Sequence, residues 1–254
     1  MINDLISSTG LGRDVIIYHL DLSAFIDDFF SAAMEKGTSA MRMFGGTAIN
    51  RAFFGKNQRF SLDMDLNYDG SMDSGAKELS VILKGAGYRA AKGEWMNSKH
   101  TVKRLIVMPT AGRIASFSID LHAIKEEGDA QFQNLALRSI TEFFGYPPMK
   151  TVVPSYTMER LLAGKLFALR DRTLDRDVYD AYVGLRLPPN YKLLRKYIEG
   201  YESFPQLVSV ATHRLEKLME SGRRMGITRY IPEYCITDFN LMASEITRLL
   251  LRMV

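Results

Sequence analysis

Arg59-Phe60-Ser61-Leu62-Asp63-Met64-Asp65-Leu66-Asn67 is the stretch on which the fold turns. Phe60, Leu62, Met64 and Leu66 alternate with Arg59, Ser61, Asp63, Asp65 and Asn67. Successive side chains of a strand point to opposite faces, so this spacing predicts a strand with one apolar and one polar face. Asp63 and Asp65 then stand side by side on the polar face. Two carboxylates held that close repel each other unless a cation lies between them, and Mg²⁺ takes one or two carboxylates together with phosphate oxygens. Upstream, Gly45-Gly46-Thr47 opens a short helical segment, where backbone N–H groups can approach a phosphate. Together these features point to metal-dependent chemistry on a nucleotide.

The bulk composition bounds the rest. A chain of 254 residues allows one large domain or two modest ones, with length enough for a sizeable core. Hydrophobic residues at 46% and charged residues at 24% are the proportions of a globular protein. The formal net charge of +4 permits a polyanionic partner without requiring one. Cys235 is the single cysteine, which excludes an intrachain disulfide and a cysteine-based zinc site and points to a reducing compartment. The first residues lack a basic segment followed by an apolar one, and no apolar run is long enough to span a membrane. A cytoplasmic location with no membrane partner is expected.

Outward from the acidic strand, Val15, Ile16, His19, Leu22, Phe25, Ile26, Phe29 and Ala33 recur at helical spacing and predict a long helix over 13–36. A short helix is expected over 48–54, ended by Gly55 and Asn57, and another from a cap at Asp73 to about residue 84. Strands are expected over 88–91, 101–108 and 114–124, the last two joined by a turn at 109–112. The 114–124 segment alternates again, with Ala115, Phe117, Ile119 and Leu121 against Ser116, Ser118, Asp120 and His122. Pro147, Pro148 and Pro154 mark a connector. Beyond it the pattern is helical over 157–172, 175–184, 191–201, 205–221 and 237–252, so the composition changes from mixed to mostly helical near residue 150.

Each candidate group has an ordinary structural alternative. Asp63 and Asp65 are either acids that a half-buried strand shows to water or ligands of a metal ion. Asp120, on a second strand of the same pattern, would be the third carboxylate of a two-metal site or an exposed acid. Gly45, Gly46 and Thr47 serve as a turn and cap, or as a phosphate cradle to which Thr47 adds a hydroxyl donor. Arg59 and Ser61 share the polar face, Arg59 as a salt-bridge partner or either one as a phosphate contact. Leu161, Lys165 and Ala168 share one helix face, so Lys165 either reaches out to water or meets a triphosphate as a point charge. Asp177 and Asp180, three residues apart, either face a site together or pair on the surface with Arg172 and Arg176. His19, His100, His122 and His213 show no metal-ligand spacing, although His122 shares the Asp120 face. Arg223, Arg224 and Arg229 form a small basic patch, solvated or in contact with a nucleic-acid backbone. Trp95 and the methionines read as packing residues.

In order along the chain stand Gly45-Gly46-Thr47, the Arg59-x-Ser61-x-Asp63-x-Asp65-Leu66 run, a strand with the single Asp120, a helix carrying Lys165, Ala168 and Arg170, and Arg176-Asp177-Val178-Tyr179-Asp180. This order, over roughly residues 41–183, resembles the AbiEii/AbiGii toxin family of type IV toxin–antitoxin systems, whose relatives include the mycobacterial MenT toxins. The resemblance implies an α+β nucleotidyltransferase fold of the DNA polymerase β type, a small mixed sheet flanked by helices, followed by a helical C-terminal region. On that reading residues 1–150 form the nucleotidyltransferase-like domain, and 151–254 a helical domain that completes the active-site cleft. It implies phosphate binding at Gly45, Gly46 and Thr47, Mg²⁺ (or Mn²⁺) at Asp63 and Asp65, triphosphate contact at Lys165, and Asp177 as the acid of the helical motif. Arg59, Ser61 and Asp120 join this site on the strand reading alone. The expected activity is transfer of a nucleotidyl group from an NTP to an acceptor hydroxyl, foremost the 3′ end of tRNA, which blocks translation. The alternatives are nucleotidyl or phosphoryl transfer to a protein hydroxyl, or an inert nucleotide- or RNA-binding module. An NTP, an RNA acceptor and a cognate antitoxin are the expected partners.

Overall fold

A computed structural model describes residues 2–37, 40–97, 101–111, 116–123, 132–221 and 226–254. The chain runs α1 (Ile2–Thr9), α2 (Arg13–Glu35), β1 (Met41–Phe44), α3 (Gly45–Phe53), β2 (Asp63–Tyr68), α4 (Met72–Gly85), β3 (Tyr88–Trp95), β4 (Val102–Pro109), β5 (Phe117–Ala123), β6 (Phe132–Ala136), β7 (Val152–Tyr156), α5 (Met158–Asp171), α6 (Asp175–Arg186), α7 (Tyr191–Glu199), α8 (Phe204–Glu220) and α9 (Phe239–Leu251). Five strands form one sheet in the order β1-β2-β5-β4-β3, and β6 and β7 form a separate antiparallel pair. Within the main sheet only β2 and β5 run parallel. The architecture is thus the expected α+β one, a small mixed sheet flanked by helices and followed by a helical region.

The acidic strand is shorter than its alternation suggests. Pairing begins at Asp63, and Met64 and Leu66 are fully buried on the inner face. Leu62 is 40% exposed, although the pattern placed it on that same face. Phe60 leaves the sheet altogether. Its N–H donates to the Tyr230 carbonyl, and its ring stacks on His19 in a small second core with Leu5, Leu11, Ile16 and Ile140. Alternation before Asp63 has no neighbouring strand to hydrogen-bond to, and without a ladder it does not make a strand.

Several helices begin on side-chain caps. Thr157 accepts from Arg160 N–H, Asn190 from Leu193 N–H, and Asp238 from Asn240 and Leu241 N–H. The α4 cap is Ser71, which accepts from Ser74 N–H, and not Asp73, which lies in the first turn. Elements absent from the sequence reading are α1, β1, β6 and β7. The connector drawn around Pro154 contains β7, where Pro154 faces Asn134 across a two-stranded ribbon and its missing N–H is tolerated. Residues 114, 115 and 124 of one expected strand, His100, Gly112, Arg223 and Arg224 lie outside the described residues.

The main apolar core joins the sheet to helices before and after it. Phe25 and Phe29 of α2, Leu66 of β2, Leu162 of α5 and Ile246 of α9 all belong to it. No described helix is long and apolar enough to cross a membrane.

Candidate active site

The polar face of the sheet collects its charges by register. Across the parallel β2–β5 pair, Asp63 lies beside Ser118, Asp65 beside Asp120 and Asn67 beside His122. On the far side of β5, Arg104 of β4 lies beside Asp120. Asp65 and Asp120 thus come together as the two alternating patterns implied. Both oxygens of Asp120, however, accept from Arg104, at 2.7 Å from Nε and 2.6 Å from Nη2. A bidentate guanidinium fits a carboxylate plane and takes one lone pair on each oxygen, which ties Asp120 to β4.

Two glycines let the chain turn from β1 into α3 directly under the carboxylates. Gly45 has φ of 73°, and a Cβ placed on it would sit 2.0 Å from Asp65 Oδ2. A Cβ on Gly46 would lie 2.4 Å from Arg59 Nη2 and 3.3 Å from Lys165 Nζ. The positive φ and both close approaches explain the glycine pair. Thr47 is fully buried, and its hydroxyl donates to the Asp63 carbonyl at 2.6 Å, tying α3 to the start of β2.

Behind this pair lies a buried ionic cluster. Asp180 is fully buried and accepts from Arg59 Nε at 2.8 Å and Nη2 at 2.7 Å, with Lys165 Nζ at 2.9 Å. Asp177, also fully buried, accepts from Arg172 Nε at 2.9 Å and stands 3.5 Å from Lys165 Nζ. Burial pushes the Asp180 carboxyl up, but Arg59 and Lys165 overcome it and hold the group down at about 2. Three cations face two carboxylates, so the cluster keeps a net positive charge toward the cleft. Lys165 does not reach out to water, since it is 7% exposed. Arg59 takes the salt-bridge role, with Asp180 as its partner, and its Nη1 lies 3.5 Å from Ser61 Oγ.

Asn50 is not among the site residues expected from the sequence. Its amide donates to the Gly46 carbonyl at 2.9 Å and to Asp180 at 2.8 Å, and its oxygen accepts from Arg59 N–H at 2.9 Å. One fully buried side chain therefore holds the glycine turn, the start of the acidic stretch and α6 together. A polar residue inside a short apolar helix is its only sequence signal. Arg51, the next residue, is buried the other way, against Ser23, Met149 and His19. Burial brings its guanidinium down to about 10 and holds His19 well below its ordinary value.

The site opens into a cleft of about 460 Å³ between the sheet and α5. Asp63, Asp65 and Asp120 line it, with Arg104, Arg160, Lys165, Arg172 and Arg176 around them. Arg176 Nη1 stands 3.7 Å from Asp63 Oδ2. Burial, then the charge of Asp63, raises the Asp65 carboxyl to about 7 against the opposing pull of Lys165. Asp65 is thus shielded from water beside a like charge, although cations ring the cleft. Among the described residues no three His, Cys, Asp or Glu side chains gather as a metal cage. Two carboxylates in a cleft with a cationic rim nonetheless fit Mg²⁺, which takes few protein ligands and fills its sphere with phosphate oxygens and water. His122, whose ring meets Phe44 edge-on, is kept below its ordinary value by burial.

Residues 29–225 match a family model described as nucleotidyl transferase AbiEii toxin, type IV TA system. No curated protein matches the sequence. Among solved structures, the chain is similar to MenT4, a nucleotidyltransferase toxin of Mycobacterium tuberculosis, with a TM-score of 0.61 and 13% identity over 100% of this chain and 89% of that one. It is also similar to a structure from H. pylori described as a nucleotidyltransferase, with a TM-score of 0.50 and 15% identity over 96% of each chain. At these identities the likeness establishes a common fold.

Proposed function

The chain belongs to the AbiEii family of nucleotidyl transferase toxins of type IV toxin–antitoxin systems, and from that premise we propose that it transfers a nucleoside monophosphate from an NTP to the 3′ hydroxyl of tRNA. Mg²⁺ is the proposed ion, with Mn²⁺ as its replacement, and a cognate antitoxin the partner that restrains the activity. The observation that carries this reading is the pair Asp63 and Asp65, side by side in a cleft that Arg104, Arg160, Lys165, Arg172 and Arg176 also line.

The residues divide the work by position. Asp63 and Asp65 would hold the ion, which when bound neutralises phosphate charge and makes the attacking hydroxyl more acidic. Gly45 and Gly46 bring the backbone N–H groups at the start of α3 to the phosphates, where the helix dipole favours negative charge. Lys165, supported by Asp177 and Asp180, presents a fixed positive charge at Gly46, where the triphosphate would lie. Thr47, Arg59 and Ser61 serve the nucleotide at one remove, by fixing β2 and α3. In the transfer the acceptor oxygen bonds to the α-phosphorus as the bond from that phosphorus to pyrophosphate breaks. The hydroxyl proton passes to solvent, and pyrophosphate leaves past the cationic rim. Positioning and charge complementarity supply most of the acceleration in such a reaction.

The test is incubation with Mg²⁺, each α-labelled NTP and total tRNA, beside an Asp63→Ala control. Label in RNA with the native protein and none with the variant is expected. Full activity of Asp63→Ala would overturn the mechanism, and label on protein would make a protein hydroxyl the acceptor.

A further inference from the structure

Tyr156 and Arg160, which line the cleft, belong to a run of contacts in which two aromatic rings follow each arginine. Arg42 Cζ lies 3.9 Å from the centre of the Phe132 ring. Phe132 meets Tyr156 at 5.4 Å between centroids. Arg160 Cζ follows, 5.9 Å from Tyr156 and 5.4 Å from Tyr201. Tyr201 meets Phe167 edge-on at 5.6 Å. The six residues come from β1, β6, β7, α5 and the turn after α7, so no single periodicity explains the order.

Three properties set this ladder apart from ordinary packing. Its rings are unequally buried. Tyr156 is 2% exposed and forms the floor, whereas Phe132 and Tyr201 are 45% and 69% exposed. Its guanidinium groups face rings, and among the described residues no carboxylate lies within ion-pair distance of Arg42 or Arg160, whose Nη2 donates to Tyr201 Oη at 3.2 Å. It also runs into the site. Tyr156 and Arg160 both line the cleft, and Tyr156 Oη accepts from Asn67 Nδ2 at 2.7 Å, on the same strand face as Asp63 and Asp65. Beyond Phe167 the pattern stops, since Arg170 is claimed by Asp171 and Glu202.

We propose that this ladder seats the single-stranded end of an RNA acceptor, with bases stacked on Phe132 and Tyr201 and backbone phosphates on Arg42 and Arg160. Aromatic platforms interleaved with cations bind single strands with little regard for sequence, because every base offers a π face and every linkage a charge. Continuity with the cleft leads the terminal hydroxyl toward the carboxylates. The inference rests on the RNA acceptor proposed above and names the surface that would select it.

The experiment uses the full chain and a short, labelled single-stranded RNA with a free 3′ hydroxyl. Affinity is read by fluorescence anisotropy at fixed salt without NTP, and KM for RNA and for NTP by label transfer. Tyr201→Ala and Phe132→Ala should each weaken RNA binding about tenfold, the scale of losing one base–ring stack. Both should raise KM for RNA and leave KM for NTP unchanged. Tyr201→Phe, which keeps the ring and loses only the hydroxyl that accepts from Arg160 Nη2, should bind more tightly than Tyr201→Ala, and Tyr234→Ala, an exposed ring elsewhere, should bind as the native protein does. If the Phe132→Ala/Tyr201→Ala double variant binds and labels RNA with native constants, the ladder is refuted while RNA remains the acceptor. If the native protein binds no RNA and labels only protein, the RNA reading fails and the ladder with it.

Discussion

Asp65 is the residue on which the chemistry of pH bears most directly. Its carboxyl is raised from an ordinary 3.8 to about 7, by burial first and then by Asp63. A carboxyl raised by folding contributes stability fully below its unfolded pKa and loses it as pH rises through the folded value. The unliganded protein should therefore lose stability between about pH 4 and about pH 7, and Mg²⁺ should restore more of it near pH 8 than near pH 5. Asp65→Asn should melt higher than the native protein near pH 8 without metal, yet transfer nothing. Thermal melts at the two pH values, with and without Mg²⁺, check this, and an unchanged or lower melting temperature for the variant would contradict it. Asp63 and Asp65 could be found from sequence because alternation along one strand needs no knowledge of the rest of the chain. The bond from Arg104 to Asp120 could not, because it exists only once β4 lies against β5 in one register. Nor could Asn50, whose partner Asp180 is 130 residues away.

At the scale of elements, the contact of α3 with α6 is the most consequential. Asp180→Ala would leave Arg59 and Lys165 buried without their shared carboxylate, and breaking a buried pair in this way costs about 3–5 kcal/mol. Urea unfolding should show that loss near neutral pH, and a loss below about 1 kcal/mol would mean that water replaces the carboxylate. Because the Asp180 carboxyl is held at about 2, its contribution is present above the ordinary value of 3.8 and fades only as pH falls from there through about 2. The difference between native protein and Asp180→Ala should shrink over that acid range alone. Helices α5 to α9 were legible within about two residues, because an apolar stripe repeats over several turns and caps mark the ends. β1, β6 and β7 were not. Met41-Arg42-Met43-Phe44 is too short to show a period, and Pro154 reads as a break until its position in a ribbon is known.

For the whole molecule, the division near residue 150 follows composition, whereas the core runs across it without interruption. Ser155 donates to the Met43 carbonyl at 2.6 Å, and Asn50 and Arg59 reach Asp180 from the other side of that boundary. Calorimetry should therefore show one cooperative transition, with calorimetric and van't Hoff enthalpies in agreement. Two resolved transitions would identify residues 1–150 and 151–254 as separate folding units. The same span has a consequence for synthesis. At about 5–20 residues per second, a ribosome that has just made the acidic strand needs many seconds more before it makes the helix that steadies Arg59 and Lys165. Until then the nascent chain carries carboxylates with no anchored cation to face them. On this order of synthesis, the cleft is completed only after most of the chain has been made.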